Sequence, residues 1–205
     1  VPSMARKEEF QVEYIKRMTE ESLDITTTEG KKDFVRNLVA YNIILEGIFF
    51  YSGFMVALSF RQRNLLRNFG SLMDWIIRDE SLHLKFGINL ILTVLEENPD
   101  LQTEEFAEEI KQMILDAVKM EEDYNRDLFP SGILGLNANY VNQYVEYLAD
   151  RRLEELGFDL KHTTWIYSWT VPSWVPEEKS KEIVARLEKS DYRSYLVNVR
   201  QETPK

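Results

Sequence analysis

A chain of 205 residues with 44% hydrophobic side chains and 12% aromatics can bury one sizeable core, and its 8 glycines and 6 prolines leave room for long helices. A net charge of -10 excludes a nucleic-acid backbone or an anionic membrane as the main partner, because both are gripped by clustered Lys and Arg. The absence of cysteine excludes disulfides and thiolate ligation, so any metal must be held by oxygen and imidazole, the donors of harder metals such as iron or manganese.

The first helix is predicted over about residues 4–23, where Phe10, Tyr14 and Met18 recur every fourth position; residues 1–7 lack the apolar core of a secretory signal, so a cytoplasmic location is expected. After a polar turn at 26–30, Thr28 is expected to cap a second helix, with Glu29 favourably placed in its first turn. Phe34, Leu38, Tyr41, Leu45 and Ile48 form the expected inner stripe of this helix, which extends to about Arg63; Gly47, Ser52 and Gly53 mark a distortion beside a site. The apolar run 43–60 has the length of a membrane span. It contains Glu46, however, and a comparable acid in hydrocarbon costs roughly 2.5 to 3.5 kcal/mol on insertion scales. The run therefore reads as a buried helix of a soluble protein, which leaves a carboxylate in the core that needs a partner.

A third helix is predicted over 65–97, ending at Asn98-Pro99. Thr103 has the features of an N-cap for a fourth helix reaching about residue 127, with Glu104 and Glu105 in its first turn and Phe106, Ile110, Met113 and Ala117 as its inner stripe. Pro130, Gly132 and Gly135 break the chain before a fifth helix over 137–156, which Gly157 terminates. From Phe158 the pattern changes to an irregular segment with Trp165, Trp169, Pro172, Trp174 and Pro176, then a short amphipathic helix over 177–189 and a tail. The expected organisation is an all-α bundle over 1–157 and an irregular, Trp-rich segment over 158–205, with no β-sheet.

The chemistry lies on the second and third helices. Glu80 and His83 form a Glu-x-x-His pair, whose i and i+3 positions project from one helix face. Taken alone the pair is weak, since both residue types are common on solvated faces. Glu46 alone has two ordinary explanations, a core Arg partner or protonation by burial. Together the two features support each other: ferritin-like di-iron and di-manganese bundles use one Glu from each of two helices and Glu-x-x-His from each of two others, and this chain carries half of that set.

The strings Leu45 to Phe54 (LEGIFFYSGF) and Arg78 to Gly87 (RDESLHLKFG) closely resemble consecutive signatures of the small, radical-generating subunit of class I ribonucleotide reductase. A looser similarity runs from about Phe10 through 130–136 and 150–157. The resemblance implies a ferritin-like helical bundle, here partial and lacking N-terminal helices, in which Glu46, Glu80 and His83 hold one ion of a dinuclear Fe/Fe or Mn/Fe centre. It implies dioxygen activation and a radical or oxidising equivalent for converting ribonucleotides to deoxyribonucleotides, with the large catalytic subunit as partner and a homodimeric assembly. It also makes Asp79 an outer-shell residue on the radical route, Phe50, Phe54 and Ile76 the lining of a dry pocket, and Tyr195, with Tyr192 as fallback, the radical relay near the C-terminus. The family's other carboxylate, second Glu-x-x-His and radical-bearing residue belong to helices upstream of the first one here, and His162, with no acid at the required spacing, is a poor substitute ligand. A start on Val1 adds to the expectation of a C-terminal portion that is silent without its N-terminal half. Two further expectations stand beside this one: two copies pooling their half-sites, and a non-enzymatic helical interaction module whose metal site has decayed.

Overall fold

The structure is a computed structural model, and it describes residues 2–19, 23–133 and 136–157. Among these, the chain runs through α1 (Pro2–Thr19), α2 (Thr28–Leu38), a π-helical segment (Val39–Phe49), α3 (Phe50–Gln62), α4 (Arg67–Glu97), a 3-10 turn (Pro99–Leu101), α5 (Glu104–Leu128) and α6 (Ala138–Glu155). No strand occurs among the described residues, only an isolated antiparallel bridge between Ile133 and Leu136. The expected irregular segment, the helix at 177–189, and His162, Tyr192 and Tyr195 lie outside the described residues.

Local chemistry fixes most of the helix ends. Thr103 and Asn137 are extended residues whose side-chain oxygens accept from the backbone N–H groups of Phe106 and Tyr140 at 3.2 and 3.0 Å. Gly157, at φ +87°, supplies the left-handed residue that closes α6. The first helix, expected to reach about residue 23, is helical over Pro2–Thr19, and Leu23 is outside it. At α2 and α4 the starts shift as well. The cap of α2 is Thr27, because Thr27 is the extended residue and its hydroxyl accepts from Gly30 N–H at 3.0 Å, whereas Thr28 is already helical and donates to Asp100 at 3.0 Å. Helix α4 starts at Arg67 rather than Leu65, because Asn64 and Leu66 take left-handed conformations, φ 66° and 47°, to turn the chain.

The continuous helical run Thr28–Gln62 is the axis of the core, and α4, α5 and α6 pack around its π segment. Val35, Val39, Ile43, Ile44 and Ile48 are fully buried, and burying each contributes roughly 1.5 to 3 kcal/mol. The run is long and apolar enough to cross a membrane, yet 61% of its most apolar window is buried against the other helices, as the reading of a core helix requires. The stripe inferred from α-helical spacing is displaced. Tyr41 is exposed and Leu45 only half-buried, while Ile43, Ile44 and Glu46 point inward, because π winding changes which residues share a face. In α5 the buried residue of the third turn is Ile114 rather than Met113.

Two glycines let α4 approach the π segment. A Cβ on Gly87 would stand 2.6 Å from Asn42 Oδ1 and closer still to Asn42 Cβ and Cγ, and one on Gly47 would stand 2.9 Å from Leu84 Cδ1. The opposite side of α4 is apolar and open: Phe69, Leu72, Trp75, Ile76, Leu82 and Phe86 are all exposed.

Candidate metal centre

Glu46 sits in the π segment, where i→i+5 bonding replaces the α pattern; the Phe50 N–H donates to the Leu45 carbonyl. From α6, the buried Arg152 supports this segment by donating from Nε to the Gly47 carbonyl at 3.2 Å. The Arg152 guanidinium also lies over the Tyr51 ring, 5.5 Å from its centroid, and the Tyr51 hydroxyl meets Ser81 Oγ at 2.7 Å. Ser81 is thereby tied to α6 through Tyr51, one residue from Glu80.

The close approach at Gly47 and Gly87 sets Glu46 against Glu80 and His83. His83 Nδ1 lies 3.3 Å from Glu80 Oε2 and 3.9 Å from Glu46 Oε1. The three donors, one from each residue, all fall within 4.8 Å of one another, and no other set of three or more His, Cys, Asp or Glu donors gathers this closely among the described residues. The group is enclosed from one side only: the side chains of Glu46 and Glu80 are 7% and 16% exposed, that of His83 57%. His83, its exposed member, is carried by α4, the helix that also exposes Ile76, Leu82 and Phe86.

Burial, and after it the charge of Glu80, push the Glu46 carboxyl above the usual range; His83 and a hydrogen bond from Tyr41 oppose them. Glu46 Oε2 is buried without a hydrogen-bond partner. A bare carboxylate oxygen in a core is costly unless a cation meets it, and two carboxylates with an imidazole are a donor set for iron or manganese. The residues present therefore fit a metal.

The other residues singled out in the sequence are dispersed around this group. Phe54 is buried, whereas Phe50 and Ile76 stand on the exposed side, Phe50 with its ring 6.2 Å from that of Phe54. Asp79 points outward beside Arg78 at 3.6 Å. Tyr41, placed in the core stripe by α-helical spacing, and Arg152, whose contact with Gly47 spans 105 positions, are residues near the group that the sequence pattern does not mark.

The chain matches the family described as "Ribonucleotide reductase, small chain" over residues 1–164. The chain belongs to the ribonucleotide reductase small-chain family. It is 42% identical over 168 residues to the ribonucleoside-diphosphate reductase subunit beta of Chlamydia pneumoniae, covering 82% of this chain and 49% of that protein. It is 31% identical over 188 residues to the ribonucleoside-diphosphate reductase 1 subunit beta of Escherichia coli O157:H7, covering 86% of this chain and 47% of that one. Among solved structures, the ribonucleotide reductase R2 subunit from Clostridium botulinum superposes with a TM-score of 0.71 at 27% identity, over 90% of this chain and 53% of that chain. The helices described above are thus the ferritin-like fold of small-chain ribonucleotide reductases. The chain spans about half the length of the curated relatives it matches.

Proposed function

We propose that this chain contributes half of the dinuclear metal centre of a ribonucleoside-diphosphate reductase small subunit, with Glu46, Glu80 and His83 binding one of the two ions. The convergence of their donor atoms within 4.8 Å carries this reading. The oxygen and imidazole donors suit an Fe/Fe or Mn/Fe pair. Such a centre, when bound, reacts with dioxygen and supplies the radical or oxidising equivalent for ribonucleotide reduction in the large catalytic subunit. The chain's own part is to hold ligands and exclude water. Glu46 brings Oε1 to 3.9 Å from His83 Nδ1 while its Oε2 stays in the core without a hydrogen-bond partner, and His83 must be neutral to bind through Nδ1, the nitrogen facing both carboxylates.

The exposed apolar face of α4 supports a helical partner lying across the open side, the N-terminal half of the same subunit, bringing the second carboxylate and the second Glu-x-x-His. With that face covered, Phe50, Phe54 and Ile76 keep water from the centre, and Asp79 meets the partner's side as an outer-shell hydrogen-bonding group. Tyr195 is the relay residue of this reading, and homodimeric assembly in the cytoplasm belongs to it. The same exposed face favours a second reading, in which two copies lay their α4 faces together and pool two half-sets.

Anaerobic loading of the chain with ferrous iron, alone and co-expressed with an N-terminal half from a relative, tests these readings through metal per chain and native mass. The first reading expects a dinuclear centre, lost in Glu46→Gln and His83→Ala, only in the co-expressed sample, together with ribonucleotide reduction when the large subunit is added. Two ions per dimer of the chain alone would support pooling. Failure of co-expression to give bound metal would overturn the reductase reading and leave a non-enzymatic interaction module.

A further inference from the structure

Ile77, Leu84 and Ile88 form a buried apolar stripe on α4, and Ser81 interrupts it at the helical position between the first two. The Ser81 hydroxyl meets the Tyr51 hydroxyl at 2.7 Å and the Ile77 carbonyl at 2.6 Å. A carbonyl cannot donate, so Ser81 gives its one proton to Ile77, and Tyr51 must be the donor of the other bond. Tyr51 is buried, and a buried phenol needs such an acceptor. Its ring is held in turn by Phe54, 5.5 Å away between centroids, and by the Arg152 guanidinium, which also receives the Gly47 carbonyl on its Nε. Tyr51 thus stands between two contacts that flank the donor group: Gly47 follows Glu46, and Ser81 follows Glu80.

We propose that Tyr51 and Ser81 are a positioning pair for the metal group: their hydrogen bond fixes the rotation of α4 about its own axis and so sets Glu80 and His83 against Glu46. This rests on the reading of Glu46, Glu80 and His83 as metal ligands, and it names two residues outside that donor set. The physical need is specific. The glycine contacts set how near α4 comes to the π segment, but apolar contact is non-directional, whereas a hydrogen bond weakens steeply as its angle departs from linear. Side chains end about 5 to 6 Å from a helix axis, so a rotation of about 5° already moves a donor atom by about 0.5 Å, the tolerance of a working ligand geometry. Ser81 is adjacent to Glu80 and two residues from His83, which leaves almost no helix between the pin and the donors to absorb a rotation.

The test uses Tyr51→Phe, Ser81→Ala and the double variant in the full 205-residue chain, with Thr103→Ala, which removes the cap of α5, as a control for stability alone. Cobalt(II) is titrated while its visible absorption is followed, and in the metal-free chain the ring C–H signals of His83, assigned by their loss in His83→Ala, are followed by NMR at one fixed pH. Each single variant is expected to lower cobalt affinity about tenfold, the lower end of what losing a supporting partner does, to alter the cobalt absorption envelope and to displace the His83 signals. The double variant should lose no more than either single one, because both delete the same bond. Thr103→Ala should lower the urea midpoint and move neither readout. Single variants that leave affinity and the His83 signals unchanged overturn the proposal, as does a double variant whose loss is the sum of the two, or a Thr103→Ala chain that loses as much affinity as they do. If the unmodified chain binds no cobalt, the ligand reading itself fails for the isolated chain, and the metal-free His83 signals alone decide the pair: displacement in both single variants but not in Thr103→Ala sustains it, and any other pattern ends it.

Discussion

Replacing Gly87 by Ala tests the idea that the donor group is assembled by the close approach of α4 to the π segment. In an open helix this change would stabilise the chain by about 1 kcal/mol through helix propensity. Here the new methyl group overlaps Asn42 Cβ and Cγ and lies 2.6 Å from its Oδ1. Rotating Asn42 aside gives up the bond from its Nδ2 to the Leu38 carbonyl at 3.1 Å, a loss of about 1 kcal/mol. It does not relieve Cβ, so α4 must also move away, an overpacking cost of about 1 to 3 kcal/mol. With the propensity gain set against these losses, the variant is expected to be less stable by about 1 to 3 kcal/mol in urea unfolding. Because Glu80 and His83 ride on the same helix, cobalt affinity falls at least about tenfold, as it does when a supporting contact is removed. Adding Asn42→Gly, which removes the opposing Cβ, should restore part of both losses, so the double-mutant cycle shows a coupling beyond additivity. A Gly87→Ala chain as stable as the parent, or a cycle without coupling, would refute the packing argument.

Thr27→Ala should cost about 1 kcal/mol and Thr28→Ala much less, since only Thr27 accepts from the first turn of α2; thermal unfolding of the two variants separates them. Arg152→Met leaves the buried Gly47 carbonyl without its donor, and the expected destabilisation of about 1 to 3 kcal/mol in urea should be accompanied by weaker cobalt binding. Glu146 is pushed up to about 8, first by burial, then by a hydrogen bond and charge from Glu122 and by the charge of Asp150. Because its folded value is raised above the ordinary 4.5, its share of stability is full below 4.5 and is lost as the pH rises through about 8. Glu146→Gln should therefore flatten the fall in urea midpoint across that window, and an unchanged slope would count against the carboxyl pair.

The sequence carried the helices and the three donors because both depend on short-range spacing. Glu80 and His83 need only an α-helix to share a face, and Thr103 and Asn137 announce their helices by capping chemistry. The apolar flanks of Glu46 were enough to mark it as a buried acid. What escaped is non-local or depends on an unusual winding. Tyr41 reads as a core residue at α-helical spacing and becomes a rim residue only once the π segment is known. Nothing around Arg152 in the sequence points to Gly47, and the start of α4 depended on Asn64 and Leu66 adopting conformations that side chains rarely favour.

The π segment has a consequence for how this protein can vary. A wider turn takes up residues that an α-helix would not accommodate, so α2 and α3 can each keep their own buried faces while the stretch between them is out of phase. Deletions within 39–49 that return it to the α repeat should be absorbed by the flanking helices and can raise stability, yet they re-aim Glu46. Such a deletion would separate two demands on this stretch, the packing of its flanks and the aim of one carboxylate.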